Sequence, residues 1–219
     1  MTKKTFFGAM AVVTAVALTG SALVASNMGF KLNYTLSQAG VGSNSGTNSL
    51  ALPDNRQTGM ADAKNLMDDI GFASTTNVQK FLAATDTLQS YTGRKLGGTA
   101  FALAAGQGVF VKMATTVNYI VVGSDDPAVA YPLAQAGAGS NSGTNFFAYN
   151  YHQTAADAKA LIDDIGFLSV TNVQKFLKAT DTLQSYTGRK LGGTAFALTP
   201  GEAYYVKMAT TVNYTPSHY

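Results

Sequence analysis

Apolar positions along this chain follow two spacings, one helical and one extended. In TAADAKALIDDIGF, Ala158, Leu161, Ile162 and Ile165 recur at i, i+3, i+4 and i+7, the spacing that buries one face of a helix. Thr154 stands as the cap with Asp157 at the third helical position, which makes a capping box. Gly166 supplies a left-handed C-terminal turn, and Phe167 folds back on the last turn. The stretch TGMADAKNLMDDIGF repeats the pattern with Gly59, Asp62, Ala63, Leu66, Met67, Ile70, Gly71 and Phe72. Each helix is predicted to span about three turns.

The remaining segments are short, alternate between apolar and polar residues, and are bounded by turn residues, as strands are. KLNYTLSQA and SLALP precede the first helix; NVQKFL, LQSYT, AFAL, VFVKM and TTVNYIVV follow it. The second copy keeps the order with AYPLAQA, FFAYNY, NVQKFL, LQSYT, AFALTPGEAYYVKM and TTVNY. Consecutive strands joined by tight turns pair antiparallel. The expected fold class is therefore α+β, mostly β: two tandem copies of an antiparallel sheet module, each with one short helix.

The duplication is literal in places. ATDTLQSYTGRKLGGTAFAL fills Ala84 to Leu103 and again Ala179 to Leu198, and GSNSGTN at 42–48 returns at 139–145. Module 1 has two more residues than module 2 between that loop and the helix, around LPDNRQTG, an insertion expected in a loop at the strand-to-helix junction. The organisation read from these landmarks is a signal peptide over 1–26, module 1 over 27–123, a polar linker over 124–128 and module 2 over 129–219. At roughly 90 residues a module is small for a self-sufficient core, so contact between modules or between chains is energetically useful.

The signal peptide rests on MTKKTFFGAMAVVTAVALTGSALVAS: a basic start at Lys3 and Lys4, an apolar run, then small residues, with cleavage after Ala25 or Ser26. The apolar run is shorter than the roughly 20 residues a spanning helix needs, so a free exported protein is expected, extracellular or periplasmic. Loss of Lys3 and Lys4 lowers the net charge from +3 to +1. So small a charge leaves no broad basic footprint for nucleic acid. There is no cysteine, which removes disulfides and thiol chemistry.

Chemistry-bearing patterns are sparse. GVGSNSGTN and GAGSNSGTN space glycines as some nucleotide loops do, but a strand-like segment follows each where a phosphate would need a helix N-terminus. These stretches read as flexible connections between strands. Asp68 and Asp69, with their copies Asp163 and Asp164, sit in the last helical turn, where the dipole disfavours negative charge. A calcium site and a solvated helix end paired with Arg94, Lys95, Arg189 or Lys190 are the two readings. GRKLGG, carrying those same four cations, is either a wet loop or a seat for an anion or acidic glycan.

The two histidines, His152 and His218, have no counterparts in module 1, and Glu202, the sole glutamate, aligns with Gln107. No catalytic residue, cofactor site or metal site is therefore assigned, and Asp86 and Asp181 in the TDT turns are ordinary turn chemistry. The aromatic residues offer more. Phe147, Tyr149 and Tyr151 share one face of a strand, and Tyr204 and Tyr205 face opposite sides of another. Such rings fill a core, or form a platform for a glycan or a subunit contact.

At TNSLALP, TNFFAYNY, NVQKF, LQSYTG and TPGEAYYVKM the chain resembles a repeated module of exported bacterial proteins, usually found in tandem. Tryptophan, frequent in that pattern, is replaced here by Phe81, Phe176, Tyr91 and Tyr186. The resemblance implies export and tandem architecture and supplies no catalytic residue. The expected function is a non-enzymatic structural or self-assembling protein of the envelope or matrix acting through surface contacts, with head-to-tail association of modules as one mode. A carbohydrate-binding or adhesion module is the alternative, and a hydrolase working through aspartates the third reading.

Overall fold

The computed structural model describes residues 29–56, 60–93, 98–188 and 193–218. The segment read as a signal peptide lies outside them, as do Arg94, Lys95, Arg189 and Lys190 of the GRKLGG loops. Module 1 contains β1 (Gly29–Leu36), β2 (Thr47–Ala51), β3 (Asn55–Arg56), α1 (Ala63–Ile70), β4 (Thr75–Leu82), β5 (Thr87–Tyr91), β6 (Gly108–Met113) and β7 (Val117–Ser124). Module 2 contains β8 (Tyr131–Leu133), β9 (Thr144–Ala148), α2 (Ala158–Ile165), β10 (Val170–Leu177), β11 (Thr182–Tyr186), β12 (Ala203–Met208) and β13 (Val212–Tyr214). The fold is α+β and mostly β, as the alternating segments predict. Among the described residues no helix is long and apolar enough to cross a membrane.

Each module has two layers. A four-stranded antiparallel sheet runs β2-β6-β4-β5 in module 1 and β9-β12-β10-β11 in module 2. A ribbon made from the first and last strands, β1 with β7 and β8 with β13, lies against it. Alternation sorts the side chains: Leu50, Val109, Val111 and Val78 point inward to meet Leu66 and Ile70 of α1, and Phe147, Tyr204, Val206 and Val173 do the same with Leu161 and Ile165 of α2. The two extra residues of module 1 belong to a segment that forms β3, which pairs with the end of β7 and so extends the ribbon.

Both helices bury the face read from the sequence, but they are shorter than expected. Each has eight residues, about two turns. Asp62 and Asp157 are themselves the N-caps, accepting from the amides of Asn65 and Ala160 at 2.8 Å. The capping box led by Thr154 does not form; the Thr154 amide instead donates to the Ser217 carbonyl at 3.0 Å. An aspartate at the cap satisfies orphan amides directly, so nothing is gained by starting the helix a turn earlier. Phe72 packs against the core, whereas Phe167 is 46% exposed.

The two modules meet through the outward faces of their four-stranded sheets, and the contact is reciprocal. Asn44 and Ser45 donate side-chain hydrogen bonds to Asp181 at 2.8 and 3.0 Å, while Asn141 and Ser142 donate to Asp86 at the same distances. The Asn44 amide donates to the Lys178 carbonyl at 2.8 Å and the Asn141 amide to the Ala83 carbonyl at 2.7 Å. Thus GSNSG, read as a flexible connection, is a clasp. Asp86 and Asp181 adopt φ of 54° and 55°, the left-handed region that aspartate tolerates better than most residues. That conformation is what the tip of the TDT turn requires.

Candidate functional site

The centre of the module contact is aromatic. Phe110 stacks on Phe146 at 4.8 Å and meets Phe176 edge-on at 5.3 Å; Tyr205 lies 4.6 Å from Phe146 and 5.3 Å from Phe81. Such pairs favour the arrangement by about 0.5–1.5 kcal/mol each beyond the area they bury. Burial between the modules raises the Tyr205 hydroxyl to about 12. Gly108 lets Phe146 approach: a Cβ there would come within 2.8 Å of the Phe146 ring and 2.6 Å of the Ala203 methyl. At the position equivalent to Phe146, module 1 has Ser49, which exchanges hydrogen bonds with the Ala203 backbone at 3.3 Å.

This geometry redistributes the rings singled out in the sequence. Phe147, Tyr149 and Tyr204 are core residues of module 2, so they form no platform. β9 ends at Ala148, which takes Tyr149 and Tyr151 out of the period-two pattern. Tyr149 donates to the Gln153 carbonyl at 2.8 Å, and Tyr204 donates to Glu202 at 2.7 Å. Burial, reinforced by the Glu202 charge, pushes the Tyr204 hydroxyl far above its ordinary value. Only Tyr151 is exposed, at 42%, and its ring stacks on Phe30 at 5.6 Å. Tyr205 is the candidate whose ring lies at the aromatic centre of the module contact, while Tyr151 reaches module 1 at its margin through Phe30 and Phe147 through a backbone bridge to Gln107. Sequence reasoning missed Phe146, Phe110 and the TDT aspartates as an interface; Asp86 and Asp181 recur and Phe110 aligns with Tyr205, which was the available signal, whereas Phe146 aligns with Ser49 and offered none.

The paired aspartates at the helix ends part company. Asp68 and Asp163 pair with Lys64 and Lys159 one turn earlier at 2.5 and 2.6 Å, and the GRKLGG cations expected as partners lie outside the described residues. Asp69 accepts from the Tyr119 hydroxyl at 2.6 Å, and Asp164 from Tyr214 and Ser217. Burial raises the Asp164 carboxyl, but the hydroxyl and amide donors outweigh it and leave the group below its ordinary value. Neighbouring carboxylates that diverge to separate partners do not make a calcium cradle.

A second acidic cluster has no counterpart in the repeat. Asp54, beside the insertion, accepts from the Tyr131 hydroxyl at 2.6 Å, and Asp125 of the linker lies 2.8 Å from Nδ1 of His218. Both carboxylates are buried. Burial raises Asp54 to about 6, opposed by the Tyr131 hydrogen bond and supported by Asp125 next to it. The linker, expected to be a plain polar connection, is therefore held by both modules.

A cleft of about 510 Å³ lies between β1 of module 1 and β10, its following turn and the Thr199–Pro200 hairpin of module 2. That volume falls within the ~300–1,000 Å³ typical of ligand sites. Ser49 and Tyr34 line one side; Lys175, Lys178 and Glu202 line the other. Lys175 pairs with Glu202 at 2.7 Å. Lys178 donates only to neutral oxygens, the Thr35 carbonyl at 3.1 Å and the Ser37 hydroxyl at 3.4 Å. Burial, with the Glu202 charge added, holds the Tyr34 hydroxyl well above its ordinary value. The pseudo-equivalent positions on the other flank are Ala83 for Lys178, Gln107 for Glu202, Ala104 for Thr199 and Phe146 for Ser49.

No family model matches the chain, and neither a curated protein nor a solved structure matches it.

Proposed function

We propose that this chain is an exported bacterial protein of the envelope or extracellular matrix that works by contact rather than catalysis. One observation carries the reading: each aspartate that the duplication repeats already has a structural partner. Asp62 and Asp157 cap helices, Asp68 and Asp163 pair with lysines, Asp69 and Asp164 accept from tyrosines, and Asp86 and Asp181 hold the module clasp. A hydrolase working through these aspartates would need at least one of them poised toward a substrate. The basic start and apolar run over 1–26 support export. Head-to-tail propagation finds no support in the module contact, because that contact is reciprocal and occupies the matching surfaces of both copies. Any assembly therefore uses other surfaces.

The test is a broad screen of glycosidase, esterase and peptidase substrates with wild type and Asp164→Asn, alongside N-terminal sequencing of the exported form. No turnover and a start near residue 27 are expected. Turnover that Asp164→Asn abolishes without loss of fold would overturn the reading. Carbohydrate binding stands as a second reading, favoured by a groove of about 360 Å³ floored by Phe110, Phe176 and Tyr205 and bordered by Gln79 and Leu88. A glycan array read with wild type and Gln79→Ala separates the two.

A further inference from the structure

We propose that the cleft beside β1 receives an extended peptide segment of a partner protein, which adds a strand to the free edge of β1 and places a carboxylate on Lys178. The proposal rests on the reading of the chain as a contact protein and names the class of partner.

Two independent features lead to it. The first is an open strand edge. β1 pairs with β7 on one side, and no strand of the described residues pairs with the other. In an antiparallel ladder, alternate residues aim both N–H and C=O to the same side. The Thr35 carbonyl turns toward Lys178 of the other module, so the residues two and four positions before it, Asn33 and Lys31, present their backbone groups along the same edge. Residues 32–36 border the cleft, a length of roughly 15 Å at about 3.3 Å per residue, enough for four or five residues of an added strand. Open edges are normally blunted because they template strand addition; here the cleft leaves this one accessible at Asn33.

The second feature is charge. Lys175 already has Glu202, whereas Lys178 holds only a carbonyl and a hydroxyl. A carboxylate arriving at the Thr35 end of the strand would find an ammonium group without an acidic partner, in a partly apolar setting where charge-assisted bonds are strong. Strand addition thus supplies affinity through the main chain and Lys178 supplies register, the division of labour seen generally in recognition by added strands.

The duplication supplies gentle variants. Lys178→Ala installs the residue that module 1 has as Ala83, and Ser49→Phe installs the residue that module 2 has as Phe146. The experiment is fluorescence anisotropy of the full exported chain with a labelled six-residue peptide of alternating valine and threonine that ends in a free carboxylate. Three comparison probes are its C-terminal amide, a version N-methylated at alternate residues, and a linear glucan oligosaccharide as competitor. We expect saturable binding, about tenfold weaker for the amide and for Lys178→Ala, and lost for the N-methylated peptide and for Ser49→Phe. Circular dichroism of both variants should match wild type; if Ser49→Phe fails to fold, Lys178→Ala and the N-methylated probe still decide.

No binding up to about 1 mM peptide, equal binding of the N-methylated probe, or displacement by the glucan would overturn the proposal. Self-association of the chain that the peptide does not inhibit would also count against it. None of these results bears on the contact reading itself, which the substrate screen addresses.

Discussion

Modules 1 and 2 share a scaffold but not a cleft. The reciprocal parts, Asn44 and Ser45 with Asp181, and Asn141 and Ser142 with Asp86, match to within the same hydrogen-bond lengths. The differences gather on the flanks. One flank has Ser49, Lys178 and Glu202; the other has Phe146, Ala83 and Gln107 at the equivalent positions. Shared residues maintain the fold and the clasp, and differing residues put the Phe146 ring into the contact on one side and leave one charged cleft on the other, where symmetry would give two alike. Divergence after duplication therefore marks the surface to test more clearly than identity does.

The sharpest way to break that comparison is to equalise the central packing. Phe146→Ala removes a ring stacked on Phe110 and set over Gly108, and should lower stability by about 2–4 kcal/mol in urea unfolding. Ser49→Ala at the equivalent position removes only long hydrogen bonds and should cost less than about 1 kcal/mol. Next come the clasp residues. Asp86→Gly and Asp181→Gly keep the left-handed turn and lose the side-chain bonds, for a cost of about 1–2 kcal/mol each. The two costs should agree; unequal costs would show that the module contact is not truly reciprocal.

A smaller effect sharpens the contrast through Asp54, which module 2 lacks. Its carboxyl is raised to about 6 in the folded chain, against about 3.9 unfolded. The folded state therefore holds the proton more tightly, and the stability this brings is complete below about pH 4 and lost as pH rises through 6. Asp54→Asn keeps an acceptor for Tyr131 and should gain about 1 kcal/mol relative to wild type at pH 7.5 compared with pH 4, measured from unfolding midpoints across that range. Smallest of all, Lys64→Ala and Lys159→Ala break exposed pairs one turn apart and should leave both midpoints unchanged within error.

Local pattern made much of this fold legible. The buried helix faces at Leu66, Ile70, Leu161 and Ile165 follow from spacing alone, and the adjacent Tyr204 and Tyr205 do face opposite sides of their strand, one in the core and one in the module contact. What sequence could not supply is the partner of each outward face. Phe147 and Tyr149 alternate as a solvent platform would, yet α2 and the ribbon cover them. The glycines and hydroxyls of GSNSG look like a loose connection until an aspartate far along the chain satisfies them. The cleft is legible only in retrospect, because Ser49 and Lys178 lie well over a hundred positions apart and neither belongs to a motif.

The clasp has a further consequence when considered as an equilibrium. Two separate modules meeting through this face would come apart on dilution, since their association would depend on how many copies were present. Joined through a short segment that both halves hold in place, each module sees its counterpart at an effective concentration of order millimolar or more. The fused pair thus keeps its cleft complete however sparse the molecule becomes in its surroundings.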